Sequence, residues 1–186
     1  VGVAEFLATA AAVTIILASI RALGETNLKR RLAYSTVSQL SYVVLGAALG
    51  SVAAVAGAMF HIAVHGFMKI TLFFCAGAIH TQQHVNDATQ MKGIGRAMPL
   101  TMVAFTVGAS GLAGIPLLAG FLSKWNLGMG ALAASQPVFV LVLVASGLLN
   151  LAYFYPIVYD AFFRESEVKR EEQSGDAPWA MTVPLV

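Results

Sequence analysis

The sequence predicts an all-α integral membrane protein with five transmembrane helices, one of them discontinuous. Three observations carry this reading. Hydrophobic residues make up 58% of the 186 positions and charged residues only 11%, against roughly 25% charged in a soluble globular domain. The apolar runs reach or exceed ~20 residues, the length of helix that crosses a bilayer. The charges sit almost entirely in the gaps between those runs.

The elements follow in order. Segment one covers about 2 to 23, is rich in Ala, Ile and Val, and closes near Arg21; the turn GETNLKRR follows it. Segment two covers about 31 to 50, and segment three about 54 to 80. A polar loop, 81 to 97, carries TQQHVNDATQMKGIGRA. Segment four runs from 98 to about 134 and is interrupted at LAGIP. Segment five covers about 137 to 162. A polar stretch, 163 to 177, then separates it from the start of a further apolar segment at 178 to 186. The chain begins inside an apolar helix, with no initiator Met and no charged leader or cleavage site of a signal peptide. It is therefore expected to be a fragment of a larger membrane subunit.

Lys and Arg set the expected orientation. Arg21, Lys29, Arg30 and Arg31 cluster after segment one, Lys92 and Arg96 after segment three, and Arg164, Lys169 and Arg170 after segment five. The connections after segments two and four carry none. All three clusters fall on one side only if segment four crosses once. Its span from 98 to 134 would be about 55 Å of continuous helix against ~30 Å of hydrocarbon, so a single crossing needs a break. Pro116 supplies one, because it has no N–H and its ring clashes with the carbonyl of Leu112. Gly108, Gly111, Gly114 and Gly120 are expected to loosen the same region. The alternative, a hairpin at GIP, would place the third cluster on the opposite side.

Composition also excludes. A net charge of +2 does not suggest nucleic acid. The single cysteine, Cys75, rules out an internal disulfide and a multi-cysteine metal site. No phosphate-binding glycine loop and no HExxH motif occurs, and no cofactor or redox centre is implied.

FHIAVHGFMKITLFF, residues 60 to 74, places His61, His65 and Lys69 four apart in an apolar run. They advance about 40° per step and form one stripe about 12 Å long. Ionisable groups at bilayer depth face protein or water, because exposure to hydrocarbon costs a few kcal/mol or more. Histidine titrates near neutral pH, and burial disfavours a charged lysine, so such groups can take up and release protons with water bridging the gaps. The plain alternative is that the histidines bond neighbouring helices and Lys69 snorkels to the interface. A metal at His61 and His65 lacks a third ligand nearby in sequence. Lys124, eight residues after Pro116, is either an interfacial lysine beside Trp125 or a buried group at a helix break, where unpaired backbone holds water or ions. Tyr34, Ser35, Thr36, Ser38, Gln39 and Tyr42 of segment two read first as interhelical hydrogen bonding and otherwise as the lining of a water path. Glu5 and Asp160 are placed at interfaces.

Three stretches resemble a known family. NLKRRLAYSTVSQLSYVVLG, FHIAVHGFMKITLFFCAGAI and GLAGIPLLAGFLSKW are similar, in the same order, to signature helices of the antiporter-like membrane subunits. These are the proton-pumping subunits of NADH:quinone oxidoreductase, the Mrp-type cation/proton antiporter subunits and the membrane-bound hydrogenase subunits. Ser41 and Met68 depart from the family pattern at positions that affect packing. The resemblance implies a subunit of about fourteen helices built on two inverted five-helix repeats. Residues 1–162 would be the second repeat, 163–177 a polar cytoplasmic linker and 178–186 the start of a further helix. It implies an exit-side proton carrier at Lys124 and a hydrophilic axis through His61, His65 and Lys69, with the helix break at Gly114 and Pro116.

The expected function is proton translocation, by hopping between these residues over bound water, within a multisubunit complex of Mrp or NADH:quinone oxidoreductase type. The expected partners are other membrane subunits, lipid, protons and, in an antiporter, Na+. The expected location is a bacterial or archaeal plasma membrane. Two rivals remain. A purely structural membrane subunit would carry no transport. A sodium or solute transporter would call for mid-span carboxylates, which these spans lack.

The topology is testable. Residues 24 to 31, 81 to 97 and 163 to 177 should share the cytoplasmic side, so single cysteines at Thr89 and Ser166 should label from the same face. Labelling from opposite faces would make segment four a hairpin.

Overall fold

The computed structural model describes residues 2–165. Among the described residues the regular elements are all helical, in the order α1 (Val3–Gly24), α2 (Leu28–Leu49), α3 (Val52–Gln83), a 3-10 turn (Ala88–Gln90), α4 (Ile94–Ala97), α5 (Pro99–Ala113), α6 (Ala119–Ala133) and α7 (Val138–Phe163). Four of them, α1, α2, α3 and α7, are long and apolar enough to cross a membrane. Segments one to three and five lie within three residues of their expected bounds. Segment four is two 15-residue helices separated by Gly114–Leu118. The polar loop after α3 contains the 3-10 turn and α4, which its composition did not announce. Of the expected linker 163–177, only its first three residues are described; the rest of it, and the helix start expected at 178–186, lie outside the described residues.

Local chemistry sets the helix ends. The Asn27 side chain accepts from Arg30 N–H and the Ser51 side chain from Ala54 N–H, each covering a free donor at a helix start. Gly50 ends α2 at φ 66, a left-handed conformation that glycine adopts without a steric penalty.

The charged connections gather at one end of the bundle. Leu28 N–H donates to Asn86 O at 2.8 Å, and Ala88 N–H to Thr26 O at 2.8 Å, which ties the α1–α2 turn to the loop after α3. Gly93 N–H donates to Asp160 O at 3.2 Å, and Arg96 pairs with Glu165 at 3.3 Å, which brings the end of α7 to the same place. Asp160 also pairs with Arg164 at 3.3 Å. At the opposite end, Ser51 Oγ donates to Gly130 O at 2.9 Å.

Helices α5 and α6 run in the same direction along α3, antiparallel to it. Cys75 Sγ meets Thr101 O at 3.3 Å, Gly108 faces Leu72, Gly111 and Gly120 face Met68, Ser123 bonds His61, Leu127 packs at Gly57 and Gly130 at Ala54. The positions on α3 fall steadily as those on α5 and α6 rise, so the pair covers the length of α3 once and does not double back. Three of the four glycines expected to loosen this region instead tighten it. A Cβ on Gly120 would lie 1.9 Å from Gly111 O, and one on Gly111 would lie 2.7 Å from Met68 Sδ. Gly108 has Leu72 at 3.2 Å from the same construction. Small residues let helices approach where lipid offers no hydrophobic drive to pack them. Gly114 alone serves the break, capping α5 at φ 87.

Two glycines of α6 make a matched test. A Cβ on Gly130 would sit 2.4 Å from Ala54 N, whereas one on Gly128 would meet nothing closer than 4.0 Å. Gly130→Ala should destabilise the detergent-solubilised protein by about 1–3 kcal/mol. Gly128→Ala should be neutral or mildly stabilising through helix propensity. Thermal unfolding of both variants reads the difference.

Candidate functional site

The α3 stripe lies inside the bundle. His61, His65 and Lys69 are 2%, 6% and 6% exposed, so Lys69 does not snorkel. Each makes a different set of contacts. Lys69 Nζ reaches α2, donating to Leu32 O at 2.8 Å and to Ser35 Oγ, and Ser35 itself donates to Leu32 O. The His65 ring stacks on His61, with centroids 5.8 Å apart. His61 Nδ1 lies 2.8 Å from Ser123 Oγ on α6.

That last contact decides a tautomer. Ser123 Oγ donates its single hydrogen to Gly120 O at 2.9 Å. With that hydrogen on Gly120 O, Ser123 accepts from His61, the arrangement that satisfies both contacts; it puts a proton on Nδ1 and leaves Nε2 as the open base. Nε2 of His61 and of His65 are buried with no protein partner, as are both amide atoms of Gln39 and Nδ1 of His80. Buried polar atoms in membrane proteins are met by protein or by water.

The break builds the second half of the site. In an intact helix, residue 116 would donate its N–H to the carbonyl of Leu112; proline has none. Leu112 O instead accepts from Lys124 Nζ at 2.5 Å and from Asn150 Nδ2 at 3.1 Å. Lys124 also donates to Ala113 O at 3.2 Å. Its ammonium lies 5.2 Å from the centroid of the Tyr42 ring, a cation–π arrangement. The edge of His61 meets the same ring at 5.3 Å. Lys124 thus joins the histidine end of the stripe through Tyr42 and Ser123, while Lys69 stands at the other end against α2. Among the described residues, neither lysine pairs with a carboxylate; the ion pairs of Arg96 with Glu165 and Arg164 with Asp160 lie at the charged end.

Segment two divides between its two readings. Ser38 and Tyr42 bond across helices, as the first reading expects. Ser19, Ser38 and Ser146, from three helices, lie 2.9 to 3.5 Å apart, and Tyr42 Oη donates to Ser146 Oγ at 2.7 Å. Ser35 turns toward the stripe as a partner of Lys69, and the Gln39 amide is buried without a protein partner. Sequence reasoning missed Ser123, Ser146, Asn150 and Tyr153. The signal was present for Asn150, a lone amide within the apolar stretch SGLLNLAYF, since polar side chains inside a span face the bundle.

The fold and site together define a class: a helical integral membrane chain whose interior carries a line of basic and hydroxyl groups beside a helix break. The chain belongs to the family described as NADH:quinone oxidoreductase/Mrp antiporter, TM, which matches residues 2–149. It is 42% identical over 160 residues to NADH-quinone oxidoreductase subunit N of Desulforudis audaxviator, covering 86% of this chain and 32% of that one. It is 33% identical over 176 residues to a Na(+)/H(+) antiporter subunit of Alkalihalophilus pseudofirmus, covering 95% of this chain and 36% of that one. Among solved structures, the fold is similar to a chain of the Mrp complex from Dietzia, with a TM-score of 0.89 at 24% identity, covering 98% of this chain and 42% of that one. It is also similar to a chain of respiratory complex I from Thermus thermophilus, with a TM-score of 0.87 at 20% identity, covering 98% and 38%. The chain spans about a third of the length of the curated relatives named here.

Proposed function

We propose that this chain is the second, proton-conducting repeat of an antiporter-like subunit, and that protons move through it by hopping among Lys69, His65, His61 and Lys124 over bound water. The observation that carries this reading is the seat of Lys124. Its ammonium rests on two carbonyls that the helix break leaves free, with no carboxylate among the described residues to hold the charge permanently. A group held by neutral dipoles alone can give up its proton without leaving an unpaired buried anion behind.

The remaining geometry supports a route. Nε2 of His61 is a base with its lone pair free, as argued above. Nε2 of neither His61 nor His65 has a protein partner, and the stacked rings, with centroids 5.8 Å apart, would be linked by a bridging water. The buried, unpartnered Gln39 amide has both a donor and an acceptor to offer water. Lys69 starts the line and Lys124 ends it on the exit side.

On this reading α5 and α6 are one broken crossing, the chain crosses five times, and residues 1–162 are one of two inverted repeats. The charged end faces the cytoplasm through 163–177, and the helix starting at 178–186 continues the subunit. The relatives include both oxidoreductase and antiporter subunits, so the host is a multisubunit complex of one of these two types in a prokaryotic plasma membrane. Other membrane subunits would be its neighbours, with Na+ as counter-ion in the antiporter case.

Lys124→Met tests the reading. Proton transport in vesicles carrying the full-length subunit in its complex should fall by roughly 100-fold, the scale of losing a proton-transfer group, while the subunit still accumulates. Lys124→Arg should also be poor, since a guanidinium with a pKa above ~12 keeps its proton. Wild-type transport by Lys124→Met would leave this residue without a proton to carry and return the lead to a structural role.

A further inference from the structure

The Leu112 carbonyl has two donors on it, and only one of them is the lysine. Asn150 on α7 is fully buried and places Nδ2 3.1 Å from that oxygen. Its Oδ1 accepts from the hydroxyl of Tyr153, one turn further along α7 and also fully buried. The Tyr153 backbone is itself anchored, because Arg31 Nη1 donates to Tyr153 O at 2.8 Å while the rest of the guanidinium grips Glu25 O at 2.8 and 2.5 Å. The amide is therefore aimed at the break by a hydrogen-bonded chain that ends in a turn at the charged end of the bundle.

An amide cannot relay a net proton, because it has no site that both gains and loses one near neutral pH. It can set the strength of an acceptor. A carbonyl oxygen has two lone pairs, and a donor on one weakens what the other offers to an ammonium. Building on the proton-carrier reading of Lys124, we infer that Asn150, oriented by Tyr153, is a positioning residue that shares the Leu112 carbonyl with Lys124. It keeps that oxygen occupied and in place when the lysine lets go, and so sets how readily Lys124 releases its proton. The titratable and charged groups facing this end of the site are His61 from α3, Tyr42 and Arg31 from α2, and Tyr153 from α7, whose hydroxyl also reaches Ser35, the partner of Lys69.

The sign follows. Without the amide, the carbonyl offers its whole acceptor strength to the lysine, which holds the ammonium form more firmly. Release then needs a higher pH. Asn150→Leu is nearly isosteric and removes both amide functions. In the full-length subunit within its native complex, it should slow proton transport by roughly fivefold, the worth of one neutral hydrogen bond. It should also move the pH optimum alkaline by about half a unit to one unit. Tyr153→Phe keeps the ring and removes only the hydroxyl that aims Asn150, so it should shift the optimum in the same direction by less. Asn126→Leu is the control. Asn126 makes a bond of the same kind, Nδ2 to Leu122 O at 2.9 Å, on the exposed face of α6, and its loss should leave the profile unchanged.

A slower Asn150→Leu with an alkaline optimum, echoed by Tyr153→Phe, supports the assignment. Wild-type pH profiles in both variants overturn it, and they overturn it alone if Lys124→Met is inactive in the same vesicles. Active Lys124→Met would remove both the carrier and its positioning residue. If Asn150→Leu fails to accumulate, Tyr153→Phe decides the matter, since an unmoved optimum there is sufficient to reject the role.

Discussion

One missing hydrogen on Pro116 organises the centre of this molecule. A helix in lipid has to satisfy its backbone internally, and broken helices survive at membrane depth only where protein or water takes up the freed groups. Here the freed group is the Leu112 carbonyl, and the groups that take it up are Lys124 and Asn150. Each arrives from a different helix, so the break is also a junction. It fixes α7 against α5 and lets Lys124, in the second turn of α6, cover the oxygen that the connection exposed. Tyr42, His61 and Ser123 then find Lys124 within reach because α6 has to lie along α3 for that contact to form.

Close helix approach makes this possible. Gly46, Gly57, Gly111, Gly120 and Gly130 all face neighbours that leave no room for a Cβ. Hydroxyls do similar work between α1, α2 and α7, where Ser19, Ser38 and Ser146 meet at the Tyr42 hydroxyl. Small and hydroxylic side chains are the means of helix association where apolar burial offers no drive. The outward faces remain greasy, with Phe6, Leu17, Phe67, Leu141 and Leu148 exposed, as suits contact with lipid or with further membrane helices.

Much of this is legible in the sequence. Run length and charge spacing located the helices because a bilayer constrains both, and the one carbonyl that Pro116 would free was identifiable as Leu112. The stripe of His61, His65 and Lys69 was legible from its four-residue spacing alone. What takes up that carbonyl was not. Asn150 is 38 residues from Leu112, and no local rule links them. Gly108, Gly111 and Gly120 tighten the packing that their sequence suggests they would loosen, for a similar reason. Taken alone a helical glycine weakens the helix, but its effect in place depends on the neighbour, and the neighbours of Gly111 and Gly120 are Met68 and, for Gly120, the opposing backbone. The paired polar connections at the charged end also escaped notice, since the antiparallel bridge of Asn27 with Asp87 joins loops distant in sequence.

The absence of carboxylates beside the two lysines, among the described residues, bears on how a line of basic groups can work. Successive members of the α3 stripe are separated by ~6 Å of helix rise. Two unit charges that far apart repel by ~3 kcal/mol at an effective dielectric of 20, and more where water is scarce. With no fixed anion to offset this, neighbouring groups on the line cannot comfortably be charged together. On the proposed hopping reading, a proton arriving at one position would make the next unfavourable until it moves on, and one leaving from Lys124 would relieve His61 across the Tyr42 ring. Mutual repulsion in a low-dielectric interior would then order the occupancy of the line without a moving part. On the same reading, the seats of Lys69 and Lys124 on neutral oxygens would keep that repulsion effective, because a carboxylate at either end would trap the charge there.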